Sequence, residues 1–345
     1  MKTGLKPSTT IRRVYGELPK PEAPARRVAI LAHYAPKSIP AYVVHLIQAL
    51  RRENVACVLC SCADEITDRD LGCLLELCSA VVHRTNAGRD FGAYADGLSV
   101  LPDVRGWQEL LLLNDSFYGP LFPLQELLDQ MEGVDCDFWG VTDSWDRKYH
   151  LQSYFVSFRQ PVLQSQVFKS FFDSVRNLNE KEDVIHYGEV GLTQSLLGAG
   201  FRVAVQYPYN VVAQKWMSGL RRYFDESFVV PREFASSLGN ALGVSNGLWR
   251  GQDFLSMPQF HNRLTFWLNI ASYILEGRPV NPGHFFWDVL IKDFRCPFLK
   301  IELLRDNPSH IENLYTWRDL VREVSDYDVR MIDEHLQQVC TNRVP

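Results

Sequence analysis

The sequence lacks several features that would assign a chain to a class at once. Its apolar runs stop short of the roughly 18 residues of a transmembrane helix, and its N-terminus has no apolar core of a secretory signal. These two absences predict a cytoplasmic protein. Basic residues are not in excess either, since 36 Lys and Arg accompany 41 Asp and Glu, for a net charge of −5. Dedicated nucleic-acid binders usually carry a basic balance, so we do not expect nucleic acid as a partner.

The eight cysteines do not have the spacing of a zinc site. Cys57 and Cys60 form one Cys-x-x-Cys pair, but neither a second pair nor a suitably spaced histidine follows. We therefore expect them to be small buried side chains in a reducing compartment. A glycine-rich phosphate turn is also missing after the first apolar run, where His33-Tyr-Ala-Pro36 stands instead. This disfavours a dinucleotide-dependent dehydrogenase.

Short apolar runs instead alternate with segments of helical periodicity. The runs predict strands at residues 27–33, 55–60, 80–83, 109–114, 138–142, 151–158 and 201–205. Such alternation is typical of βαβ units. We predict an α/β fold for residues 27–210, with a mainly parallel sheet covered by helices on both faces. Residues 1–26 are expected to form a flexible leader, and residues 211–345 a mostly helical C-terminal region.

The loop after the third predicted strand is a candidate anion site, because ligands bind beyond the carboxyl ends of parallel strands. It runs from Asn86 to Asp90. Gly88 permits a tight turn into a helix whose free N–H groups attract anions. Arg89 offers a fork suited to phosphate, and Asp90 suits a helix N-terminus. A capped helix with a surface Arg–Asp pair is the alternative interpretation.

A second candidate loop follows the fourth apolar run, where Asn114 and Asp115 are polar. An acidic residue in this position can hold Mg²⁺ or Mn²⁺, and the cation can neutralise a diphosphate. The same residues also fit an Asx-type turn that leads into Gly119-Pro120. Because two phosphate-compatible loops are predicted on one edge of the sheet, we favour a ligand site.

Further polar residues are candidates for sugar contact and for acid–base chemistry. Asp143, His150 and Gln152 follow the fifth predicted strand beside aromatic residues, a mixture that suits a sugar but equally suits loop and strand-edge positions. Glu189 is expected in the first turn of a helix over residues 188–198. It either complements the helix dipole or acts as a general base toward an acceptor hydroxyl.

Taken together, these segments resemble the rhamnan synthesis F family of bacterial polysaccharide-assembly proteins. The resemblance runs in order over about residues 27–310. It is carried by Val28-Ala-Ile-Leu-Ala-His-Tyr34, Asn86-Ala-Gly-Arg-Asp-Phe-Gly-Ala-Tyr94, Leu112-Leu-Asn-Asp-Ser-Phe-Tyr-Gly-Pro120, Phe138-Trp-Gly-Val-Thr142, His150-Leu-Gln-Ser-Tyr-Phe155, Gly188-Glu-Val-Gly-Leu-Thr193, Asn281-Pro-Gly-His284 and Pro297-Phe-Leu-Lys-Ile-Glu-Leu-Leu-Arg305.

The resemblance implies a GT-A-like glycosyltransferase that uses a nucleoside-diphosphate sugar. It would transfer rhamnose or a related sugar, with inversion, to a growing polysaccharide or lipid-linked acceptor, as in the O-antigen of lipopolysaccharide. Asn114 and Asp115 stand where GT-A enzymes have an Asp-x-Asp metal motif, here with one carboxylate, so Arg89 is the alternative diphosphate partner. Glu189 stands where related enzymes have an acidic base. His284 is a candidate for sugar contact or simply part of a helix start.

Two questions stay open at the level of sequence. The chain fits either an enzyme or a non-catalytic glycan-binding or scaffold component of a polysaccharide synthase complex, and nucleotide binding would discriminate between these. The apolar residues of 259–275 fit either a buried core helix or a peripheral contact with the inner membrane.

Overall fold

The computed structural model describes residues 9–21, 26–34, 39–174, 178–219 and 258–340, and for 258–265 and 312 it describes the main chain alone. The strands are β1 Ile11–Gly16, β2 Arg27–His33, β3 Val55–Ser61, β4 Ala80–Arg84, β5 Glu109–Asn114, β6 Phe117–Tyr118, β7 Phe138–Ser144, β8 His150–Leu151, β9 Phe155–Arg159, β10 Val203–Tyr207 and β11 Leu299–Lys300.

Helices follow most of these strands. The α-helices are α1 Ala41–Arg52, α2 Asp68–Leu77, α3 Arg89–Val100, α4 Leu124–Glu132, α5 Gln160–Leu163, α6 Gln166–Ser174, α7 Lys181–Asp183, α8 Gly191–Gly198, α9 Tyr209–Ser218, α10 Pro258–Leu275, α11 Pro282–Phe285, α12 Trp287–Lys292, α13 Ile301–Asp306, α14 Trp317–Val324 and α15 Arg330–Cys340. A π-helical segment, Val184–Val190, joins α7 to α8. Among the described residues, no helix is both long and apolar enough to span a bilayer.

Nine strands form one mixed sheet in the order β1-β4-β3-β2-β5-β9-β7-β10, with β8 paired to β7. The pairs from β4 through β3 and β2 to β5 are parallel, and so is the pair of β7 and β10. β9 runs against both of its neighbours, β5 and β7. Those two strands therefore point the same way, and six strands of the sheet share one direction. The α/β prediction is confirmed, with the addition that β9 is an antiparallel insert.

Side chains alternate between the two faces of the sheet, as they must in a strand. In β2, Val28 and Ile30 pack with α3, whereas Ala29 and Leu31 pack with α1 on the other face. The C-terminal helices join the α1 face, where Trp287 lies in the same core as the sheet residues. Helices thus cover both faces, as predicted, and the C-terminal region completes one of the two cores.

Two segments differ from the sequence expectation. Residues 11–16, which the sequence placed in a flexible leader, form the edge strand β1, antiparallel to β4. Within the region predicted to be mostly helical, Leu299 and Lys300 form β11, which pairs with β6 before α13 begins. The N-cap of α2 is Thr67, whose hydroxyl accepts the backbone N–H of Asp70 at 3.1 Å.

The chain order of the strands reverses beside β2. From β2 the sheet continues through β3 and β4 in one direction, and β5 occupies the other side. The loops that leave β2 and β5 therefore diverge, and they open the crevice in which open α/β sheets bind ligands. His33 ends β2, and Asn114 ends β5. The backbone N–H of Asp115 donates to the carbonyl of Ala32 at 3.1 Å, which keeps the two strand ends together.

Candidate functional site

Asp115 lies in this crevice between the ends of β2 and β5. Its Oδ2 accepts the backbone N–H of Tyr34 at 2.8 Å and lies 3.9 Å from His33 Nε2. The side chain is only 13% exposed. Burial raises the pKa of Asp115 to about 8 and lowers the pKa of His33 to about 4. A cation or a hydrogen-bond donor beside such a buried carboxylate strongly stabilises its ionised form.

The two loops that the sequence predicted on one edge do meet. Asn114 Nδ2 donates to Asp90 Oδ2 at 2.9 Å, and Asn114 Oδ1 accepts from the Ser116 backbone N–H at 3.1 Å. Burial raises the pKa of Asp90 to about 6, the Asn114 hydrogen bond opposes that shift, and the charge of Glu189 adds to it. Asp90, Asp115 and Glu189 therefore belong to one polar cluster rather than to separate surface features.

The turn into α3 has the shape expected for an anion loop, but its donors are already in use. Gly88 is left-handed with φ 77°, and Arg89 also has a positive φ of 48°. The Gly88 N–H donates to Asn179 Oδ1 at 2.9 Å, and Arg89 Nε donates to the Asn179 carbonyl. Asn86 is exposed. The groups that the sequence assigned to a diphosphate are thus hydrogen-bonded to Asn179, a residue that sequence reasoning did not connect with them.

Glu189 is the best-positioned acid–base group in the site. Its Oε1 accepts from Ser153 Oγ at 2.8 Å, and its Oε2 lies 3.7 Å from His150 Nε2. The side chain is 21% exposed, and a cavity with room for about one water molecule lies beside it and Ser153. The hydrogen bond and the nearby imidazole fix the orientation of the carboxylate while leaving one side accessible.

The local backbone around Glu189 differs from the expectation. The helical segment begins at Lys181, so Glu189 is not in a first turn and does not complement a helix N-terminus. It lies instead in the π-helical segment, and such segments are frequent at functional sites because the extra residue per turn re-aims side chains. Gly188 packs directly on Phe91 of α3, which brings Glu189 toward Asp90.

The remaining candidates for sugar contact already make hydrogen bonds within the protein. Asp143 Oδ1 accepts the Tyr209 backbone N–H at 2.6 Å and so caps α9. Gln152 Oε1 accepts from Thr142 Oγ1 at 2.7 Å. His150 Nδ1 contacts the Lys148 carbonyl at 2.8 Å, which leaves Nε2 facing Glu189. Of these three candidates, His150 is the one that reaches the polar cluster.

His284 approaches the site from the C-terminal region. It is 5% exposed, and its Nδ1 contacts Ser309 Oγ at 3.1 Å. Its Nε2 has no hydrogen-bond partner within the described part of the chain. Burial lowers the pKa of His284 to about 4, and the Lys300 ammonium contributes in the same direction. The sequence suggests some phosphate potential for Lys300 as part of a helix-surface charge set, but sequence reasoning did not select it as a site residue, because only the pairing of β11 with β6 brings it here.

The donor set for a metal ion is limited to a few oxygens. Within the described ranges, no group of three or more His, Cys, Asp or Glu side chains is arranged to hold a metal. Asp90 and Asp115 are electrostatic neighbours, since the charge of Asp90 raises the pKa of Asp115. One or two carboxylates completed by phosphate and water are usual for Mg²⁺ at nucleotide sites. The residues present therefore fit a cation shared with a diphosphate and do not form a protein cage.

The fold and the cluster define an α/β protein with a group of partly buried acidic residues at the switch point of its sheet. The chain belongs to the rhamnan synthesis protein F family, whose sequence profile matches residues 58–220. It is 30% identical over 260 residues to the virulence protein VirA of Vibrio anguillarum, covering 74% of this chain and 72% of that protein. It is also 27% identical over 190 residues to the uncharacterized protein y4gN of Sinorhizobium fredii, covering 52% and 48%.

Proposed function

We propose that this protein is an inverting glycosyltransferase that moves rhamnose or a related sugar from a nucleoside-diphosphate sugar to a growing bacterial surface polysaccharide. Membership of a rhamnan synthesis family supports the connection with polysaccharide. The observation that carries the proposal is the position of Glu189. Its carboxylate is oriented by Ser153 and His150 and is an electrostatic neighbour of Asp90, which accepts a hydrogen bond from Asn114 at the end of β5.

The chemistry assigned to Glu189 is general-base catalysis. Its carboxylate takes the proton of the acceptor hydroxyl while that oxygen attacks the anomeric carbon. The bond from the anomeric carbon to the diphosphate breaks in the same step, so the configuration at that carbon inverts. The Ser153 hydrogen bond leaves Oε2 for the acceptor, and His150 Nε2 is near enough to steady the charge.

The leaving diphosphate needs positive charge or hydrogen-bond donors beside it. A Mg²⁺ or Mn²⁺ ion, held by Asp115 with Asp90 as its neighbour, would neutralise that charge when bound. The chain's own share is the crevice at the ends of β2 and β5, where the buried carboxylate of Asp115 is oriented by the Tyr34 N–H. Arg89 and the Gly88 N–H would have to exchange their contacts with Asn179 to contribute.

The acceptor side is proposed to lie between the loop after β7 and the π-helical segment. Trp145 is 54% exposed, and its ring centre is 4.8 Å from that of Tyr149. Exposed rings of this kind stack on the apolar faces of sugars. The acceptor would be a polysaccharide or a lipid-linked glycan, and the reaction would take place in the cytoplasm, at the inner membrane if the acceptor is lipid-linked.

The test compares Glu189→Gln with wild type against a panel of uridine-, thymidine- and guanosine-diphosphate sugars. We expect the variant to lose transfer by about a hundredfold or more, because a positioned base contributes on that order, while donor binding changes little. Glu182→Gln is the matched control, since Glu182 lies on the same helical segment and is exposed. Transfer by Glu189→Gln at near wild-type rate would contradict the base assignment.

The second candidate is a non-catalytic glycan-binding or scaffold component. The observation that favours it is the engagement of Gly88 and Arg89 by Asn179, which removes the donors expected to bind a diphosphate. Titration calorimetry with nucleotide sugars, with and without Mn²⁺, separates the two candidates. A scaffold binds glycan fragments and no nucleotide, whereas the enzyme binds the nucleotide sugar.

A further inference from the structure

Lys300 is a half-buried cation without a carboxylate partner. No carboxylate lies within ion-pair distance of its ammonium among the described residues, and the neighbouring Glu302 is paired instead with Lys181 at 2.8 Å. Lys300 Nζ lies over the face of Tyr154, at 5.6 Å from the ring centre. Burying a charge without a partner costs free energy, so a ligand that brings negative charge would stabilise this ammonium.

The fold holds Lys300 in this place through two main-chain contacts. Lys300 pairs with Phe117 in the short antiparallel ladder of β11 and β6. The next residue, Ile301, donates its backbone N–H to the Ser116 carbonyl at 3.0 Å. The main chain at Lys300 is therefore held directly against the segment that follows Asn114 and Asp115.

The stem of Lys300 passes over Gly283. A Cβ added at Gly283 would lie 3.1 Å from Lys300 Cε and 3.2 Å from Cδ, so only glycine leaves the stem its present path. The adjacent residue is His284, whose buried Nε2 lacks a partner. In the tautomer in which Nδ1 accepts from the Ser309 hydroxyl, Nε2 carries the proton and can donate. A cation and a buried ring nitrogen without a partner thus lie on neighbouring parts of the fold.

Lys300 and Glu189 also interact electrostatically. Burial lowers the pKa of Lys300, and Glu189 is the strongest of the charges that oppose this shift. Lys300 is therefore an electrostatic neighbour of Glu189 within the same site. Arg89, the cation that the sequence favoured, is exposed and donates to Asn179 instead.

We propose that Lys300 and His284 Nε2 form a subsite for a phosphate oxyanion of the substrate, beside Glu189. The subsite rests on the proposed function, in which a diphosphate leaves the sugar. A lipid-linked acceptor would carry the same phosphate chemistry. The assignment is to oxyanion recognition by Lys300, and the ligands used in the test distinguish the two sources.

The test measures binding of inorganic pyrophosphate, thymidine diphosphate and farnesyl diphosphate to wild type and to Lys300→Met by titration calorimetry. We expect Lys300→Met to weaken binding of a diphosphate by about tenfold to a hundredfold, as for the loss of one charge-assisted hydrogen bond. Lys292→Met is the matched control, because Lys292 is exposed and paired with Glu323 at 3.4 Å. Lys300→Arg should restore part of the affinity.

A second variant tests the subsite independently, in case Lys300→Met does not fold. Gly283→Ala keeps the charge but pushes on the Lys300 stem, and it should weaken diphosphate binding while the thermal transition is retained. Wild-type affinity in both variants, an equal loss in Lys292→Met, or no diphosphate binding by wild type would overturn the subsite.

The outcomes also separate the subsite from the proposed function. If Lys300→Met leaves the donor KM unchanged while Glu189→Gln abolishes transfer, the subsite is wrong and the transferase stands. If wild type transfers no sugar but binds farnesyl diphosphate through Lys300, the subsite stands and serves a lipid diphosphate. Preference for thymidine diphosphate over farnesyl diphosphate assigns the oxyanion to the donor.

Discussion

His33 Nε2, at the end of β2, lies 3.9 Å from Oδ2 of Asp115, the residue that follows β5. The order of the strands in the sheet reverses between these two strands. His33 Nδ1 lies 3.0 Å from Ser61 Oγ, which also accepts the Ala63 N–H at 3.2 Å. In the tautomer in which Nδ1 accepts the Ser61 hydroxyl proton, the ring proton is on Nε2, on the side of the Asp115 carboxylate.

We predict that His33→Asn weakens binding of thymidine diphosphate by about fivefold, the effect of losing one hydrogen-bond donor. His83→Asn is the control, because His83 is the next-to-last residue of β4 at the same edge of the sheet but contacts the Ala63 carbonyl at 2.8 Å. Titration calorimetry measures both affinities. An equal loss in the two variants would show that His33 has no special role in the crevice.

Glu109 begins β5, at the end of the strand far from the crevice, and we predict that it stabilises the sheet there. It accepts from Arg27 Nε at 2.6 Å and from Trp139 Nε1 at 2.9 Å. Glu109→Gln should lower the free energy of unfolding by about 1 to 3 kcal/mol, because the charge opposite Arg27 is lost in a nearly buried place. Glu132→Gln removes an exposed partner 3.9 Å from Arg27 and should change stability by less than about 0.5 kcal/mol. Urea denaturation gives both values, and equal effects would contradict the prediction.

Asp143 is predicted to be a helix cap rather than a sugar ligand. Asp143→Ala removes the acceptor for the Tyr209 N–H and should cost about 1 kcal/mol of stability, whereas Asp143→Asn keeps an acceptor and should cost less. Nucleotide affinity should change by less than twofold in both. Thermal denaturation and titration calorimetry measure the two effects. Loss of nucleotide binding in a stable Asp143→Asn protein would restore the sugar-contact interpretation.

The sequence predicts the position of a site residue best when all the evidence for it lies within one strand and the residues that follow it. Asn114 and Asp115 stand out because polar residues follow an almost unbroken apolar strand, and their position beyond its carboxyl end is then dictated by the parallel sheet. Glu189 was identified from its position near the last strand, but the dipole argument attached to it was wrong because the helical segment begins at Lys181. Such a boundary depends on packing that a single segment does not encode.

The parts that sequence reasoning missed depend on long-range pairing. Lys300 reaches the site only because β11 pairs with β6, more than 180 residues earlier in the chain. The antiparallel β9 has the same apolar pattern as a parallel strand, so its direction could not be derived from composition. Asn179, whose contacts engage Gly88, lies in a polar segment without periodicity. His33 was visible at the end of β2, yet its partner Asp115 is set by the register of β2 against β5.

The pH dependence of stability tests the buried state of His284. Its pKa is lowered to about 4 by burial, next to the charges of Lys300, Glu302 and Lys181. A histidine whose folded pKa lies below its unfolded value of about 6.5 binds more protons when unfolded, so its contribution to stability is present above that pH and is lost as pH falls toward 4. The loss from this residue amounts to at most about 3 kcal/mol.

His284→Asn should therefore lose less stability than wild type between about pH 7 and pH 4, measured by urea denaturation across that range. His33, Asp90 and Asp115 titrate in both proteins, so their contributions cancel in the comparison. His310→Asn, at an exposed position, is the control and should keep the wild-type slope. An unchanged slope in His284→Asn would mean that the imidazole is not buried in its neutral form.

Two glycines of the same helical segment provide a matched pair for the position of Glu189. A Cβ on Gly188 would lie 2.7 Å from Phe91 Cε2, and Phe91 is fully buried among Tyr94, Phe171 and Phe172. Gly198 has no atom within 4 Å of such a Cβ. Gly188→Ala should cost about 1 to 3 kcal/mol of stability through overpacking, and Gly198→Ala should gain about 0.5 kcal/mol from helix propensity.

The same pair separates geometry from folding in the proposed reaction. Because Gly188→Ala moves the backbone that carries Glu189, we expect kcat to fall by about tenfold or more while the donor KM stays within twofold, since misplacement of a base by about 1 Å is costly. Gly198→Ala should leave both constants unchanged. A Gly188→Ala protein that is folded and fully active would show that the close contact with Phe91 does not set the position of Glu189.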